Sequence, residues 1–246
     1  MTLLDLGFLV LAGYFAGLVG FVTGLASIVS YPALLAVGLS PVAANVTNTV
    51  ALVAVGVGAL ANSTREVAAT GPRLVPWAVV SAAGGVVGAV LLLVAPEGSF
   101  EAVVPFLVAF AALALLVQPR IRRLAGGGEL PRSFLVVLFA VAVYGGYFGA
   151  GAGVIFLAAM LIFTSETVWR ATVLKSFLLG IANLVAALGF ALFGPVHWAA
   201  AGAMAVGALA GGWSGPPLVR RVPPTLLRWV IAAAGFGLAA WLWLSS

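Results

Sequence analysis

Lys175 is the residue of this chain whose type and position say most about chemistry. It lies in Arg170-Ala171-Thr172-Val173-Leu174-Lys175-Ser176-Phe177, about two turns into an apolar stretch. Placing an ammonium there costs ~2.5 kcal/mol or more on membrane-insertion scales. A charge retained against that cost suits the counter-charge of an anion in a central cavity. The plainer alternative is a lysine whose stem snorkels to the interface. Aligning Ala44 with Ala171 sets Asn48 opposite Lys175, within Ala44-Asn45-Val46-Thr47-Asn48-Thr49. Thr47, Asn48 and, eight residues beyond Lys175, Asn183 are candidate ligand contacts. Each is equally well read as an interhelical hydrogen bond, worth only ~0.6–1 kcal/mol.

Two glycine-rich breaks precede these positions. The first reads Ala16-Gly17-Leu18-Val19-Gly20-Phe21-Val22-Thr23-Gly24, and the second Gly145-Gly146-Tyr147-Phe148-Gly149-Ala150-Gly151-Ala152-Gly153. Gly17, Gly20 and Gly24 fall on Gly146, Gly149 and Gly153 at one constant offset. Hydrocarbon cannot satisfy freed backbone groups, so a helix broken at membrane depth must line protein or a cavity. Paired interruptions in corresponding positions of two halves point to a transporter's binding site. Amides exposed at the breaks around Gly20, Thr23 and Gly24, and around Gly149, Gly151 and Gly153, offer donors and a positive dipole end to an anion.

The composition sets the elements that must position this site. Hydrophobic residues make up 64% of the 246, charged residues 7%, and mean hydropathy is +1.25. Soluble domains carry about 25% charged residues, so the chain is expected to be an all-α polytopic membrane protein. At ~20 residues per span it is nearly all bilayer and short loops. The opening lacks a basic n-region, which argues against a cleaved signal peptide. Zero cysteines exclude disulfides and thiolate chemistry. No catalytic grouping, metal-ligand cluster or phosphate loop appears, so neither an enzyme nor a cofactor is expected. The basic balance reports topology and anionic lipid rather than nucleic acid.

In chain order, residues 5–37 are apolar and broken near Gly20–Gly24, and Ser40-Pro41 caps a helix over 42–62. Spans follow at 74–95 and 101–118. After the polar connection, 133–164 repeats the broken stretch, 168–193 the helix, and 198–215 and 225–244 the closing spans. Gly207, Gly211 and Gly212 answer Gly84, Gly85 and Gly88 as small residues for close packing. The expected organisation is a first repeat over 1–119, a linker over 120–132 and a second repeat over 133–246.

Arginine placement decides between two topologies. If each broken stretch crosses once, there are eight spans and the arginines split six against four between the two sides. If each turns back as a hairpin, or crosses twice for up to ten spans, all ten share one side, away from Asp5, Glu97, Glu101 and His197. The second arrangement satisfies the positive-inside rule and makes two inverted repeats, each a broken or hairpin stretch plus three transmembrane helices. Hairpin arms of 5–20 and 24–37 would reach ~20–24 Å. Glu166 is placed to pair with Arg170. His197, Tyr31 and Tyr144 are read as incidental, packing or interfacial residues.

On these residues the chain resembles the sulfite exporter TauE/SafE family of membrane permeases. The resemblance rests on the run aGxxGfxxGxxxxxxxPaLLxxGlsPxxAxxTN from Ala16 to Asn48 and its degenerate twin from Gly145 to Lys175. The family's G-x-G-G-G stands here as Gly20-Phe21-Val22-Thr23-Gly24, with two glycines replaced, and Gly149-Ala150-Gly151-Ala152-Gly153 is closer to it. The resemblance implies transport of sulfite, sulfonates or related sulfur-containing anions, often outward. The expectation is a plasma-membrane secondary transporter with arginine-rich loops in the cytoplasm, working by alternating access. Its partners are a small anion and the bilayer, with protons the candidate coupling ion and a homo-oligomer allowed. An anion channel and a non-transporting membrane partner are the rival readings.

Overall fold

The computed structural model describes residues 1–23, 25–61, 67–96, 98–122, 131–219 and 224–245. Within them lie ten α-helices and no strand. These are α1 (Leu3–Thr23), α2 (Ala26–Ala36), α3 (Pro41–Ala61), α4 (Leu74–Val94), α5 (Ser99–Arg122), α6 (Pro131–Tyr147), α7 (Ala152–Phe163), α8 (Val168–Phe193), α9 (Trp198–Val219) and α10 (Pro224–Ser245). Local chemistry sets the starts. Ser40 Oγ accepts from the Ala43 amide at 3.4 Å ahead of Pro41, and Thr167 Oγ1 accepts from the Arg170 amide at 3.3 Å ahead of α8. Both are side-chain N-caps.

Both apolar stretches break where the glycines fall, but into unequal arms. The 21 residues of α1 reach ~31 Å, enough for a whole bilayer core, while the 11 of α2 reach only ~16 Å. The expected near-equal arms of 5–20 and 24–37 are therefore corrected to one full-length and one half-length helix. The arms of the second break are less unequal, α6 with 17 residues and α7 with 12, reaching ~26 and ~18 Å.

Close helix contacts give the relative directions. Gly13 lies against Met204 and Ala208, and Gly17 against Ala208 and Gly212. Register thus advances together along α1 and α9, which run parallel. Gly84 lies against Phe139 and Ala142, and Gly88 against Val143 and Tyr147, so α4 and α6 are also parallel. So are α4 and α8, through Gly85 on Ala182 and Ala89 beside Gly189. One apolar cluster joins Phe134 and Leu138 near the start of α6, Met160 and Leu161 near the end of α7, and Ala171 and Leu174 near the start of α8. It brings the far end of α7 back beside the beginning of α6.

The principal packed pairs are α1 with α9, α4 with α6, α4 with α8, α3 with α9, α3 with α8 and α5 with α10. That set is unchanged when α1, α2, α3, α4 and α5 are exchanged for α6, α7, α8, α9 and α10. The halves are intertwined, since the first helix of each packs on the fourth of the other. Small residues make this closeness attainable. A Cβ on Gly84 or Gly88 would collide with the α6 backbone, and one on Gly207 or Gly211 with the α1 backbone at Val10 and Tyr14. Gly84 and Gly88 thus answer Gly207 and Gly211. The expected third match fails, because Gly85 is wedged between Ala182 and Gly146 while Gly212 has open space.

Large apolar side chains point outward along the bundle, among them Phe8, Val136, Leu192, Phe193 and Trp213. A soluble surface does not carry such a contiguous apolar girdle. Among the described residues, Leu3–Gly20, Gly71–Val94 and Val168–Phe193 are helical stretches long and apolar enough to cross a membrane.

Candidate functional site

The second break is a tight left-handed turn. Gly149 and Gly151 have φ of 78° and 75°, a region an L side chain enters only at a cost. The Phe148 and Gly149 amides both reach back to Tyr144 O, at 3.0 and 3.2 Å, which closes α6. The Ala152 amide donates to Gly149 O, and those of Val154 and Ile155 to Gly151 O, which opens α7. The amides of Ala150, Gly151 and Gly153 take part in none of these bonds. They stand at the positive end of α7, where donors suit an anion. The turn is pinned from two sides. Tyr144 Oη donates to Ala150 O at 2.5 Å, and Asn45 Nδ2 donates to Tyr147 O at 2.8 Å from α3.

Lys175 is buried, with 2% of its surface exposed, on the α8 segment whose Leu179 touches Gly145 just before the break. Its counterpart Asn48 is equally buried and fully engaged. Asn48 Nδ2 donates to Ser27 Oγ at 3.1 Å, and Ser30 Oγ donates to Asn48 Oδ1 at 2.5 Å, tying α3 to α2. The offset that aligns the breaks carries Ser27 and Ser30 onto Phe156 and Ala159, both buried. The second half therefore carries apolar residues where the first carries these two hydroxyls. A neutral amide that is hydrogen-bonded on both atoms thus stands at 48, and a lysine at its counterpart 175.

The remaining expected site residues distribute as follows. Gly20 sits in the penultimate turn of α1, against Ala26. Thr23 ends α1, and Gly24 and the Thr23 side chain lie outside the described residues. Thr47 Oγ1 accepts from the His197 amide at 3.0 Å, which links α3 to the turn before α9. Gly153 is buried in the first turn of α7. Asn183 stands on α8 with its Oδ1 buried and without a hydrogen-bond partner among the described residues. The α8 segment that carries Lys175 thus packs on the residues before the second break through Leu179. Asn183 lies ~12 Å further along that helix.

Some contributions were not expected from the sequence. Asn45 and Tyr144 anchor the break. Tyr31, expected as a packing residue, is 1% exposed and stacks edge-on against Phe148 with centroids 5.4 Å apart, and its Oη has no hydrogen-bond partner among the described residues. The signal for Asn45 was present, because a buried amide in an apolar helix needs a partner. Which carbonyl it would find was not. Glu166 pairs with Arg170 at 3.2 Å in an i,i+4 ion pair, as the spacing suggests.

A bundle of apolar-faced helices, with a polar and charged site buried beside broken ones, defines a multi-pass membrane protein of the transporter architecture. The Sulfite exporter TauE/SafE family profile matches residues 9–242, and the chain belongs to that family. It is 30% identical over 196 residues to the "Probable membrane transporter protein ORF9" of Sinorhizobium sp., covering 78% of this chain and 75% of that one. It is 28% identical over 230 residues to the "Probable membrane transporter protein YfcA" of Escherichia coli K12, covering 91% and 84%. No solved structure matches it.

Proposed function

We propose that this protein is a secondary transporter that moves a small sulfur-containing anion, sulfite or a sulfonate, outward across the plasma membrane. Lys175 carries the reading, as a lysine buried on the helix whose Leu179 packs against Gly145 at the second break. Placing a charge there is expensive, and an anionic ligand offsets that expense when it binds. The amides of Ala150, Gly151 and Gly153 supply directional donors, and Asn183 is a further ligand contact. Asn48 and Thr47 hold the helices that frame the site. Gly20, Thr23 and Gly24 mark the first break in the sequence.

The parallel packing of α1 with α9, and of α4 with α6 and α8, fits ten segments that alternate in direction. In that order α1 and α6 run oppositely and the halves are inverted, with α2 and α7 as half-length returns. Arg73 and Arg170 then fall at one end, and Asp5, Glu101 and His197 at the other, so the arginine end is cytoplasmic. Rocking of the halves about the site exposes it to each side in turn. An interior-negative potential drives an anion outward by about 2.3 kcal/mol per charge per 100 mV.

The test is sulfite counterflow in proteoliposomes. Wild type is expected to show saturable exchange, Lys175→Ala to lose it, and Lys175→Arg to keep part of it. Flux and affinity unchanged in Lys175→Ala would remove the charge assignment, and non-saturating flux without exchange would make the protein a channel.

A further inference from the structure

We infer that the ligand held at the second break carries its own hydrogen-bond donor, an O–H or N–H group, and that Asn45 reads it. The inference rests on the anion-transport reading above. The Asn45 amide can be oriented only one way: its nitrogen must face Tyr147 O, 2.8 Å away, because two acceptors cannot bond each other. Its Oδ1 is thereby fixed as an acceptor. Asn45 is wholly buried, and this Oδ1 has no partner among the described residues. Native proteins rarely leave such an oxygen unsatisfied, and where they do it calls for an explanation.

The rest of the break offers the opposite polarity. The amides of Ala150, Gly151 and Gly153 and the Lys175 ammonium are donors, suited to the oxygens of an anion. A fully deprotonated oxyanion presents acceptors alone, so its approach to Asn45 Oδ1 would set oxygen against oxygen. A monoanion bearing a hydroxyl or amino group, or a single acidic proton, meets both halves of the site. Tyr31 Oη is a second unpartnered group beside Phe148. Because a hydroxyl either donates or accepts, Tyr31 does not decide the question; Asn45 does.

The test compares ethanesulfonate with 2-hydroxyethanesulfonate, which share a charge and differ by one hydroxyl. Dissociation constants are measured by calorimetry on the full-length purified protein. The hydroxylated probe is expected to bind at least about tenfold more tightly, since a site built to hydrogen-bond a ligand group rejects the analogue that lacks it. Asn45→Ala should collapse that ratio to within about threefold. Equal affinities in the wild type overturn the inference while leaving anion binding intact, whether or not the variant folds. An undiminished ratio in a folded Asn45→Ala overturns the role of Asn45. Binding of neither probe, nor of sulfite, removes the anion reading and this inference with it.

Discussion

Asn48→Ala tests whether the first half of the protein has turned its share of the paired site into structure. Asn48 makes two interhelical bonds, donating to Ser27 and accepting from Ser30. Side-chain bonds between membrane helices average about 0.6 kcal/mol and reach about 1.7, so losing both should cost about 1–2 kcal/mol. At about 2–4 °C per kcal/mol for a chain of this size, the apparent Tm in detergent should fall by about 2–8 °C. The partners respond differently. Ser30 can turn its one hydroxyl proton to Ala26 O, 3.1 Å away, whereas Ser27 loses its donor. Removing Ser27 as well should therefore cost little more, because deleting both partners of a bond avoids leaving one unsatisfied. A double-mutant cycle on Ser27→Ala and Asn48→Ala should give a coupling of about 0.5–1.5 kcal/mol. Additive losses would show that the bond contributes nothing. An unchanged Tm together with abolished anion binding would move Asn48 from scaffold to ligand contact.

Other expectations follow from packing and backbone. Gly88→Val should prevent recovery of folded protein, since a Cβ there meets Val143 O and the Tyr147 amide. Gly202→Ala, with open space around it, should raise Tm slightly through helix propensity; size-exclusion profiles and melting curves separate the two. Gly151→Ala combines a left-handed φ of 75° with a Cβ position 2.7 Å from Ala111. It should cost about 2 kcal/mol or more, read as lower Tm and weakened sulfite binding. Because the natural chain has no cysteine, single cysteines can be placed at Thr70 and His197 without further changes. An impermeant maleimide applied to intact cells should label position 197 but not position 70, and the reverse pattern would invert the proposed orientation.

Much of the fold was legible because its signals are local. Helix α8 was read at its observed limits, since Thr167 caps its start and Gly194 lies just past its end. Helix α3 was read to within a residue from Ser40-Pro41. The breaks were legible as glycines at one spacing, because only a residue without a Cβ adopts the turn at Gly149 and Gly151. The arms of the breaks were misjudged. Where α1 gives way to α2 depends on how Gly20 packs against Ala26, not on composition. The glycine triplets were only partly matched, because a stripe of small residues does not say which neighbour each one meets.

Composition, charge placement and the repeated glycine spacing by themselves determined a helical membrane protein in two related halves, with Lys175 and Asn48 at corresponding positions. These follow from hydrophobicity and backbone sterics, which act over a few residues. Only the tertiary structure decided that the positions differ in kind. Asn48 is hydrogen-bonded to Ser27 and Ser30, while Lys175 is a charge buried in an apolar helix. Only it decided that Asn45 reaches 102 residues along the chain to hold the second break and leaves one acceptor unanswered. Hydrogen-bond partners across helices are set by packing, and no spacing along the chain records which carbonyl a buried amide will meet.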